Sequence, residues 1–341
     1  MVISGSEALS RLRSFQAREF RPAPCLPGGH LQTIAGWLFR KSTGIVYNRK
    51  KLELSDGDFL NLDIHPPDYE ERGKKSFKAV AVLIHGLEGS SRSGYIQQLA
   101  RRLEDRGILT VAMNLRSCGG EMNRRNRFYC AANSDDLAEV LEWCADRFVG
   151  KPLLGAGFSL GGVLLLKYLG ERGKSSLLKA AAGISVPLNL NLGVRRIENG
   201  FSRLYNKFFT FYLRRKGRRK KQSADYELPV EEVEELENIR EFDDLITAPL
   251  WGFDSAEDYY KSCGANNFIP QIKTPTLLVQ AQTDPMIAWD EEILEQIARS
   301  KFIRLLQLER GGHMGFVEGR IPLRPEFWLE EELARYFSEI C

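Results

Sequence analysis

The stretch LLGAGFSLGGVLLL, residues 153–166, is apolar except for a single hydroxyl, that of Ser159. Three glycines surround this serine, at Gly157, Gly161 and Gly162. The residues before Ser159 predict a buried strand, and the residues after it predict a buried helix. A serine on so tight a turn is strained and needs small neighbours. The pattern Gly-x-Ser-x-Gly thus indicates either a nucleophile or a buried structural turn, and the rest of the chain decides between them.

Further short apolar runs predict central parallel strands, because they lack alternation and so are covered on both faces. With the first stretch, these strands are 79–84, 108–113, 153–158, 180–186, 276–281 and 302–308. Amphipathic stretches alternate with them and predict helices at 94–105, 134–148, 160–169, 290–300 and 325–337. The alternation predicts an α/β fold with a mainly parallel sheet. An Asp-Gly turn between 51–54 and 59–64 predicts an antiparallel hairpin before that sheet.

Two parts of the chain depart from this alternation. Residues 1–45 contain three prolines and a predicted turn at Gly28-Gly29, and they predict an N-terminal arm packed on the core. Residues 187–273 hold aromatic clusters, the basic run RRKGRRKK at 214–221 and an acidic stretch at 231–244. They predict a helical cap inserted between two halves of the core, which are residues 46–186 and 274–341.

Composition excludes several classes of protein. The 341 residues are 43% hydrophobic and carry a formal net charge of only +3, which does not favour nucleic acid as a partner. No apolar run reaches the roughly 18–20 residues of a membrane span, and the first residues do not resemble a secretory signal. Six cysteines form no CxxC pair, and with four histidines they give no zinc spacing. We therefore expect a cytoplasmic protein with free thiols and without a metal or organic cofactor.

A serine nucleophile needs a base, and the base needs an orienting acid. Asp284 follows the predicted strand 276–281, and His313 follows the predicted strand 302–308. His313 is also the only histidine C-terminal to Ser159. The order serine, acid, histidine, with each residue on a loop after a strand, favours a catalytic triad over a structural turn. Asp290 is the alternative acid, with Asp284 then acting as a turn residue before Pro285.

The segment HGLEG at 85–89 follows another predicted strand and precedes a helix. A loop at this place supplies the second backbone donor of an oxyanion hole, so the N–H groups of Leu87 and Leu160 are the predicted donors. We expect the side chain of His85 to hold this loop by hydrogen bonds to backbone. The residues predicted to contribute to a substrate pocket are His85, Glu88, Phe158 and Met314.

With these residues located, the chain resembles the YheT-like family of α/β-hydrolases, which is related to animal lipases and esterases. The resemblance is carried by PGGHLQT (27–33), DGDFL (56–60), HGLEGSS (85–91), GFSLGG (157–162), WGF (251–253), DYY (258–260), TDP (283–285) and GGHMGF (311–316). It implies an α/β-hydrolase fold with a helical cap and a carboxylic ester hydrolase whose triad falls on Ser159, Asp284 and His313. Where relatives tend to carry a Tyr-His-Ser-Gly-like segment, residues 129–132 read YCAA, which leaves the pocket role of that loop open. The relatives' N-terminal membrane helix has no counterpart in the sequence given.

The sequence leaves the substrate unnamed. The apolar residues of the predicted cap, Leu204, Tyr205, Phe208 and Phe209, favour a small-molecule ester with an acyl or other hydrophobic group. A thioesterase or an amidase would use the same triad, and a non-catalytic ligand-binding protein could share the fold. The basic run has three interpretations. Pairing with the acidic stretch or solvation is favoured first, contact with anionic lipid headgroups second, and binding of nucleic acid last. His30 either reaches the pocket mouth or packs as a loop residue, and nothing specifies the oligomeric state.

Overall fold

The computed structural model describes residues 4–223, 230–288 and 290–341. Its strands are β1 Asn48–Glu53, β2 Phe59–His65, β3 Ala79–Ile84, β4 Ile108–Asn114, β5 Leu153–Phe158, β6 Leu178–Ile184, β7 Thr276–Ala281, β8 Ile303–Leu308, β9 Val317–Arg320 and β10 Arg324–Phe327. The first eight form one sheet in the order β1-β2-β4-β3-β5-β6-β7-β8. β2 pairs antiparallel with both β1 and β4, and all other pairs in this sheet are parallel. The predicted fold class is therefore confirmed.

Helices cover both faces of the sheet and fill the interval between β6 and β7. They are α1 Gly5–Ser14, α2 Gly29–Phe39, α3 Tyr69–Arg72, α4 Gly94–Glu104, α5 Ser134–Arg147, α6 Leu160–Arg172, α7 Leu190–Ile197, α8 Arg203–Ser223, α9 Val230–Glu235, α10 Ile239–Phe242, α11 Ala248–Trp251, α12 Ala256–Cys263, α13 Glu291–Arg299 and α14 Trp328–Ile340. A π-helical turn, Asp243–Thr247, joins α10 to α11. In the described parts of the chain, no helix has both the length and the apolar character that crossing a bilayer requires.

Burial on both faces explains why the central strands are mostly apolar. In β3, Val80 and Val82 belong to a core shared with α5 and α6, and the alternate residues Ala79 and Ala81 belong to a core shared with α1, α4 and α14. Successive side chains of a strand point to opposite faces, so a polar residue in a strand covered on both sides needs a hydrogen-bond partner, as Gln280 of β7 has in the carbonyl of Val186. This physical requirement is what made the runs at 79–84, 153–158 and 276–281 identifiable to the residue.

Two predictions at the ends of the chain are wrong. The turn expected at Gly28-Gly29 is the beginning of α2, with Gly28 in the N-cap position. The last helix begins at Trp328 rather than at residue 325, because Pro325 lies in β10 opposite Gly319 of β9. The predicted N-terminal arm thus contains two helices, and the side chains of Ala8 and Leu12 in α1 are buried against the core.

The helices from α7 to α12 lie between β6 and β7, and those from α7 to α11 contribute to a small separate core. Its side chains include Leu213 of α8, Val233 of α9 and Phe242 of α10, with Phe128 from the loop before α5. The division of the chain into an arm, a cap and two core segments stays a prediction. Residues 224–229 of the predicted cap lie outside the described residues.

Candidate active site

Ser159 stands alone between β5, which ends at Phe158, and α6, which begins at Leu160. Its backbone has φ +51° and ψ −119°, a region that costs a non-glycine residue on the order of 1–3 kcal/mol. The N–H of Ser159 donates to the carbonyl of Ile184 at the end of the neighbouring strand β6, over 2.8 Å. The turn is therefore held in this strained form by the sheet, and the hydroxyl is lifted above the strand ends.

The two glycines that flank Ser159 are required by close backbone approach. A Cβ on Gly157 would collide with the carbonyl of Gly161, and a Cβ on Gly161 would collide with the carbonyl of His85. Ile84 pairs directly with Gly157, so the loops after β3 and β5 leave the sheet side by side. A side chain at Gly161 would push these two loops apart, and one at Gly157 would distort the turn from Ser159 into α6.

Ser159, His313 and Asp284 form a continuous hydrogen-bonded chain. The Ser159 hydroxyl lies 2.9 Å from Nε2 of His313, and Nδ1 of His313 lies 3.0 Å from Oδ2 of Asp284. Asp284 is buried, and its Oδ1 accepts hydrogen bonds from the N–H groups of Met286 and Ile287. A carboxylate oxygen accepts hydrogen bonds, so the Nδ1 proton of His313 points at Asp284. Nε2 is then free to accept from Ser159.

Asp290, the alternative acid, lies elsewhere. It is the N-cap of α13, where its Oδ1 accepts from the N–H of Glu292 at 2.9 Å. A helix cap of this kind satisfies a backbone donor that the helix leaves open. The geometry thus joins His313 to Asp284 and leaves Asp290 with a structural hydrogen bond.

Two unpaired backbone donors face the space beside Ser159. The N–H groups of Leu87 and Leu160 donate to no residue in the described parts of the chain, and both residues line the same cavity as Ser159. On either side of Leu87, by contrast, the N–H of Gly86 donates to the Tyr95 hydroxyl at 3.0 Å and the N–H of Glu88 donates to the Tyr129 hydroxyl at 2.8 Å. The loop is pinned at both neighbours, which leaves the N–H of Leu87 open to an oxygen of a substrate.

His85 anchors the root of this loop. Its Nδ1 donates to the carbonyl of Gly86 at 2.8 Å, and its Nε2 accepts from the N–H of Leu115 at 3.1 Å. Complete burial lowers the pKa of His85 to about 4, so the ring is neutral at pH 7. With both nitrogens bonded to backbone, the side chain has no atom left to contact a substrate.

A mostly apolar cavity opens beside the Ser159 hydroxyl. Its apolar lining includes Leu87, Leu160, Pro187, Val194, Ile197, Phe209, Leu213, Ile239, Phe242 and Met286. The cavity also receives polar groups from Lys216 and Asp243. Loss of solvent raises the pKa of Asp243 to about 6, although its carboxylate accepts hydrogen bonds from Thr247 and Tyr260. A cavity of this character suits a long apolar group with a polar feature at one point.

The four predicted pocket residues are not among the residues that line this cavity. Phe158 points to the opposite face of the sheet, where it packs on the ring of Tyr95 with centroids 4.7 Å apart. Glu88 is held by Lys216, and Met314 has φ +54° with its N–H donating to the Ser185 hydroxyl. Adjacency in sequence to Ser159, Leu87 or His313 misled the prediction, because neighbouring residues point in different directions from a strand end or a tight turn.

The sequence-based predictions did not include a role for α2 in supporting the loop that carries His313. The N–H of His313 donates to Oγ1 of Thr33 at 2.8 Å, and the Thr33 hydroxyl in turn donates to the carbonyl of Gly29. The signal that could have found Thr33 is its place in the PGGHLQT segment, which otherwise had no assigned role. His30, in the same segment, is half-buried and its Nδ1 lies 3.1 Å from the Tyr205 hydroxyl. This contact joins α2 to α8.

The basic run is divided between the interior and the surface. Lys216 is buried, with Nζ 2.7 Å from Glu88 and 3.0 Å from Sγ of Cys118, and Lys220 is bonded to Asn123. Burial lowers the pKa of Lys216, but Cys118 and Glu88 outweigh this effect and raise it above the ordinary value. On the outer side, Arg218 pairs with Glu234 of the acidic stretch at 2.8 Å. The side chain of Lys221 lies outside the described residues.

Known proteins were compared with the chain in both sequence and structure. A family model described as the α/β hydrolase fold matches residues 80–320. The putative esterase YheT of Escherichia coli K12 is 34% identical over 323 residues, which are 94% of this chain and 93% of that protein. Mouse phospholipase ABHD3 is 29% identical over 293 residues, covering 85% of this chain and 71% of that protein. The solved esterase Pf2001 of Pyrococcus furiosus shares the fold with TM-score 0.54 at 15% identity, over 85% of this chain and 91% of that one.

Proposed function

The chain belongs to the α/β-hydrolase family, and from this premise we propose that it hydrolyses carboxylic esters through Ser159, His313 and Asp284. The observation that carries the proposal is the hydrogen-bonded chain from the Ser159 hydroxyl through His313 to Asp284, with distances of 2.9 and 3.0 Å. An apolar cavity and two open backbone N–H groups lie beside that hydroxyl. The names of the relatives, an esterase and a phospholipase, agree with ester chemistry.

In the proposed reaction, Nε2 of His313 takes the proton of Ser159 while Oγ attacks the ester carbonyl carbon. Asp284 keeps the ring in the tautomer that accepts this proton and stabilises the resulting cation. The N–H groups of Leu87 and Leu160 bind the oxyanion, and each such donor contributes roughly 2.7–4 kcal/mol to the transition state. His313 then protonates the leaving alcohol. In the second half, His313 deprotonates a water molecule, which releases the acid from the acyl-enzyme.

Support for an acyl substrate comes from the lining of the cavity. A residue such as Phe209, Leu213 or Ile197 offers an acyl chain only dispersion and desolvation, which amount to about 0.8 kcal/mol per buried methylene. Activity on p-nitrophenyl esters should therefore rise with chain length from acetyl towards medium chains. A steady preference for acetyl would contradict an acyl substrate. Faster turnover of matched thioesters or amides would favour the alternative hydrolase classes.

Substitutions of Ser159 and Asp284, with Asp290 as the control position, test the triad. Replacing Ser159 by Ala should lower kcat by about 10⁶. Replacing Asp284 by Asn should lower kcat by about 10⁴, because the amide favours the wrong tautomer of His313. Asp290→Asn is the matched control and should keep kcat within about twofold, since Asp290 only caps α13. Equal losses at both aspartates, or full activity of Ser159→Ala, would reject the assignment.

A fluorophosphonate probe separates an enzyme from a ligand-binding protein on the same fold. The probe reacts with an activated serine, so it should label wild-type protein and fail to label Ser159→Ala. Folded wild-type protein that resists the probe and hydrolyses no ester would indicate a binding protein instead.

A further inference from the structure

Two neighbouring helices turn their large apolar side chains towards solvent. On α2 these are Leu31, Ile34, Trp37 and Leu38, and on α8 they are Leu204, Phe208 and Phe211. Their exposed fractions run from 38% to 70%, the highest being that of Trp37. We name this set the α2–α8 face. Single exposed apolar residues are common on proteins, but a group of seven on two adjoining helices marks an interaction site.

The polarity of α2 is the reverse of that of an ordinary surface helix. The side that packs on the core carries Gly29, Gln32 and Gly36, and it is this side that contacts the loops of the candidate active site. Gln32 is 1% exposed and its Nε2 donates to the carbonyls of Leu26 and Val317. A surface helix normally buries its apolar stripe and exposes polar residues. Here the small and polar residues are inside and the apolar stripe is outside.

A partial form of this reversal occurs in α8, whose inner side mixes the apolar Leu213 with polar residues. The buried positions include Asn206, whose Oδ1 accepts from the N–H of Ile239, and Thr210, whose hydroxyl donates to the carbonyl of Asn206. The exposed stripe of Leu204, Phe208 and Phe211 follows helical spacing. The rings of Trp37 and Phe208 meet with centroids 6.0 Å apart, so the stripes of the two helices form one surface.

The two segments that form the face carry charge of a single sign. No aspartate or glutamate occurs in residues 20–52 or 200–223, which contain α2 and α8. Four exposed cations, at Lys41, Arg203, Lys207 and Arg215, form no ion pair with any residue that the structure describes. Arg215 extends the stripe of α8, four residues after Phe211. The face is therefore apolar at its centre, cationic around it, and free of carboxylates in both segments.

We propose that the α2–α8 face docks on the surface of an anionic lipid bilayer. Apolar side chains of a surface-lying helix enter the boundary between headgroups and acyl chains, and tryptophan is favoured at that depth. Cations near an anionic leaflet contribute roughly 1 kcal/mol each, or about a fivefold change in binding. A second copy of the chain is a poorer occupant, because a twofold contact would bring Arg203, Lys207 and Arg215 against the same cations.

This inference rests on the proposed function only for the reason why docking would be useful, which is to bring the candidate site close to lipid esters. Phe209 and Leu213 of α8 line the cavity beside Ser159, while Phe208 and Phe211 of the same helix belong to the face. A bilayer at this face would thus lie against the helix that covers the candidate site, where esters of acyl chains are most concentrated. Binding to lipid can nevertheless be measured without any hydrolysis.

Flotation of the full chain with lipid vesicles tests the docking surface. The protein should float with vesicles of phosphatidylglycerol mixed with phosphatidylcholine, and far less with vesicles of phosphatidylcholine alone. The double variant Trp37→Ser with Phe211→Ser should reduce the bound fraction at least roughly tenfold. The control, Val149→Ser with Leu323→Ser, removes two apolar residues that are at least as exposed as Trp37 and Phe211 and lie outside the α2–α8 face, and it should bind like wild type.

Charge provides a second, independent arm. Lys207→Glu with Arg215→Glu should weaken binding to the phosphatidylglycerol vesicles, and added salt should weaken the binding of wild type as well. The variants of the α2–α8 face and the Val149→Ser, Leu323→Ser control should hydrolyse p-nitrophenyl acetate like wild type, which shows that they are folded. Ser159→Ala should bind vesicles normally, so a failed esterase assay with intact vesicle binding would reject the proposed function and leave this inference standing.

Three results would overturn the proposal. The first is unchanged vesicle binding in the Trp37→Ser, Phe211→Ser variant, and the second is no vesicle binding by wild type. The third is a wild-type dimer in light scattering that this variant converts to a monomer, since the face would then be an interface between copies of the chain.

Discussion

His85 illustrates how one buried side chain can hold the loop that carries a predicted oxyanion donor, Leu87, through hydrogen bonds to backbone alone. Its ring bonds the carbonyl of Gly86 and the N–H of Leu115, and so joins the loop after β3 to the loop after β4. The bond from Leu115 requires the neutral ring, because a protonated Nε2 could not accept it, whereas Nδ1 would still donate to Gly86. The strained turn at Ser159 depends on such fixed neighbours, since it has no freedom to relax.

Protonation of His85 should therefore destabilise the fold. The pKa of about 4 in the folded protein lies below the ordinary value of 6.5, so the unfolded chain binds the proton first as the pH falls. The stabilisation from the neutral ring is present above pH 6.5 and is lost between pH 6.5 and 4. We expect the unfolding free-energy difference between wild type and His85→Gln to narrow by about 3 kcal/mol from pH 7 to pH 4. Urea unfolding at a series of pH values measures this, and a difference independent of pH would contradict it.

Helix α2 shows how a segment can be essential to a site yet invisible to periodicity. Its inner surface includes the glycines Gly29 and Gly36 because the backbone of the loops that carry Asp284 and His313 passes directly beneath it. A Cβ on Gly29 would overlap the carbonyl of Thr283, and a Cβ on Gly36 would lie 2.9 Å from Cα of Gly315. These contacts place Thr33 against the N–H of His313. The helix is thereby part of the support of the histidine.

Adjacent glycines at the start of α2 allow a matched test. Gly29→Ala should destabilise the protein by about 3 kcal/mol, because the overlap is with backbone that cannot turn aside. Gly28→Ala should cost less than about 1 kcal/mol, since a Cβ there meets nothing within 4 Å. Gly29→Ala should also lower kcat on p-nitrophenyl butyrate, as α2 moves away from the His313 loop. Equal urea midpoints for the two variants would show that α2 does not pack as described.

The sequence predicted those elements whose burial follows a simple period. The central strands were identified because both faces are covered, and Ser159, Asp284 and His313 were identified because each follows a strand at the same edge of the sheet. Helix α2 was missed because it exposes Leu31 and Trp37 and buries Gln32, which is the opposite of the expected pattern. The lining of the cavity could not be predicted, since it comes from residues distant in sequence such as Val194 and Phe242.

Across the full chain, the helices between β6 and β7 are connected to the sheet by polar contacts as well as by apolar packing. Lys216 of α8 reaches Glu88, which follows Leu87 in the loop after β3, and Lys220 of the same helix bonds to Asn123. The Tyr129 hydroxyl donates a hydrogen bond to Glu88, and Nζ of Lys216 lies 4.5 Å from the centroid of the Tyr129 ring. A displacement of α8 would therefore be felt directly by the predicted oxyanion donor.

A double-mutant cycle on Lys216 and Glu88 measures this connection. Each single change, Lys216→Met or Glu88→Gln, leaves one buried charge without its partner and should cost about 3–5 kcal/mol. The double variant should cost clearly less than the sum, because no unpaired charge remains, and the coupling should exceed about 1 kcal/mol. The control pair, Arg218 of α8 with Glu234 of α9, is exposed to solvent and should show coupling below about 1 kcal/mol. If the buried pair is no more strongly coupled than this control, the cap is not fastened to the loop through charge. Where coupling is found, kcat on p-nitrophenyl butyrate should fall in both single variants with KM changed less, since the proposed role of the Leu87 N–H is to bind the oxyanion and not the bound ester.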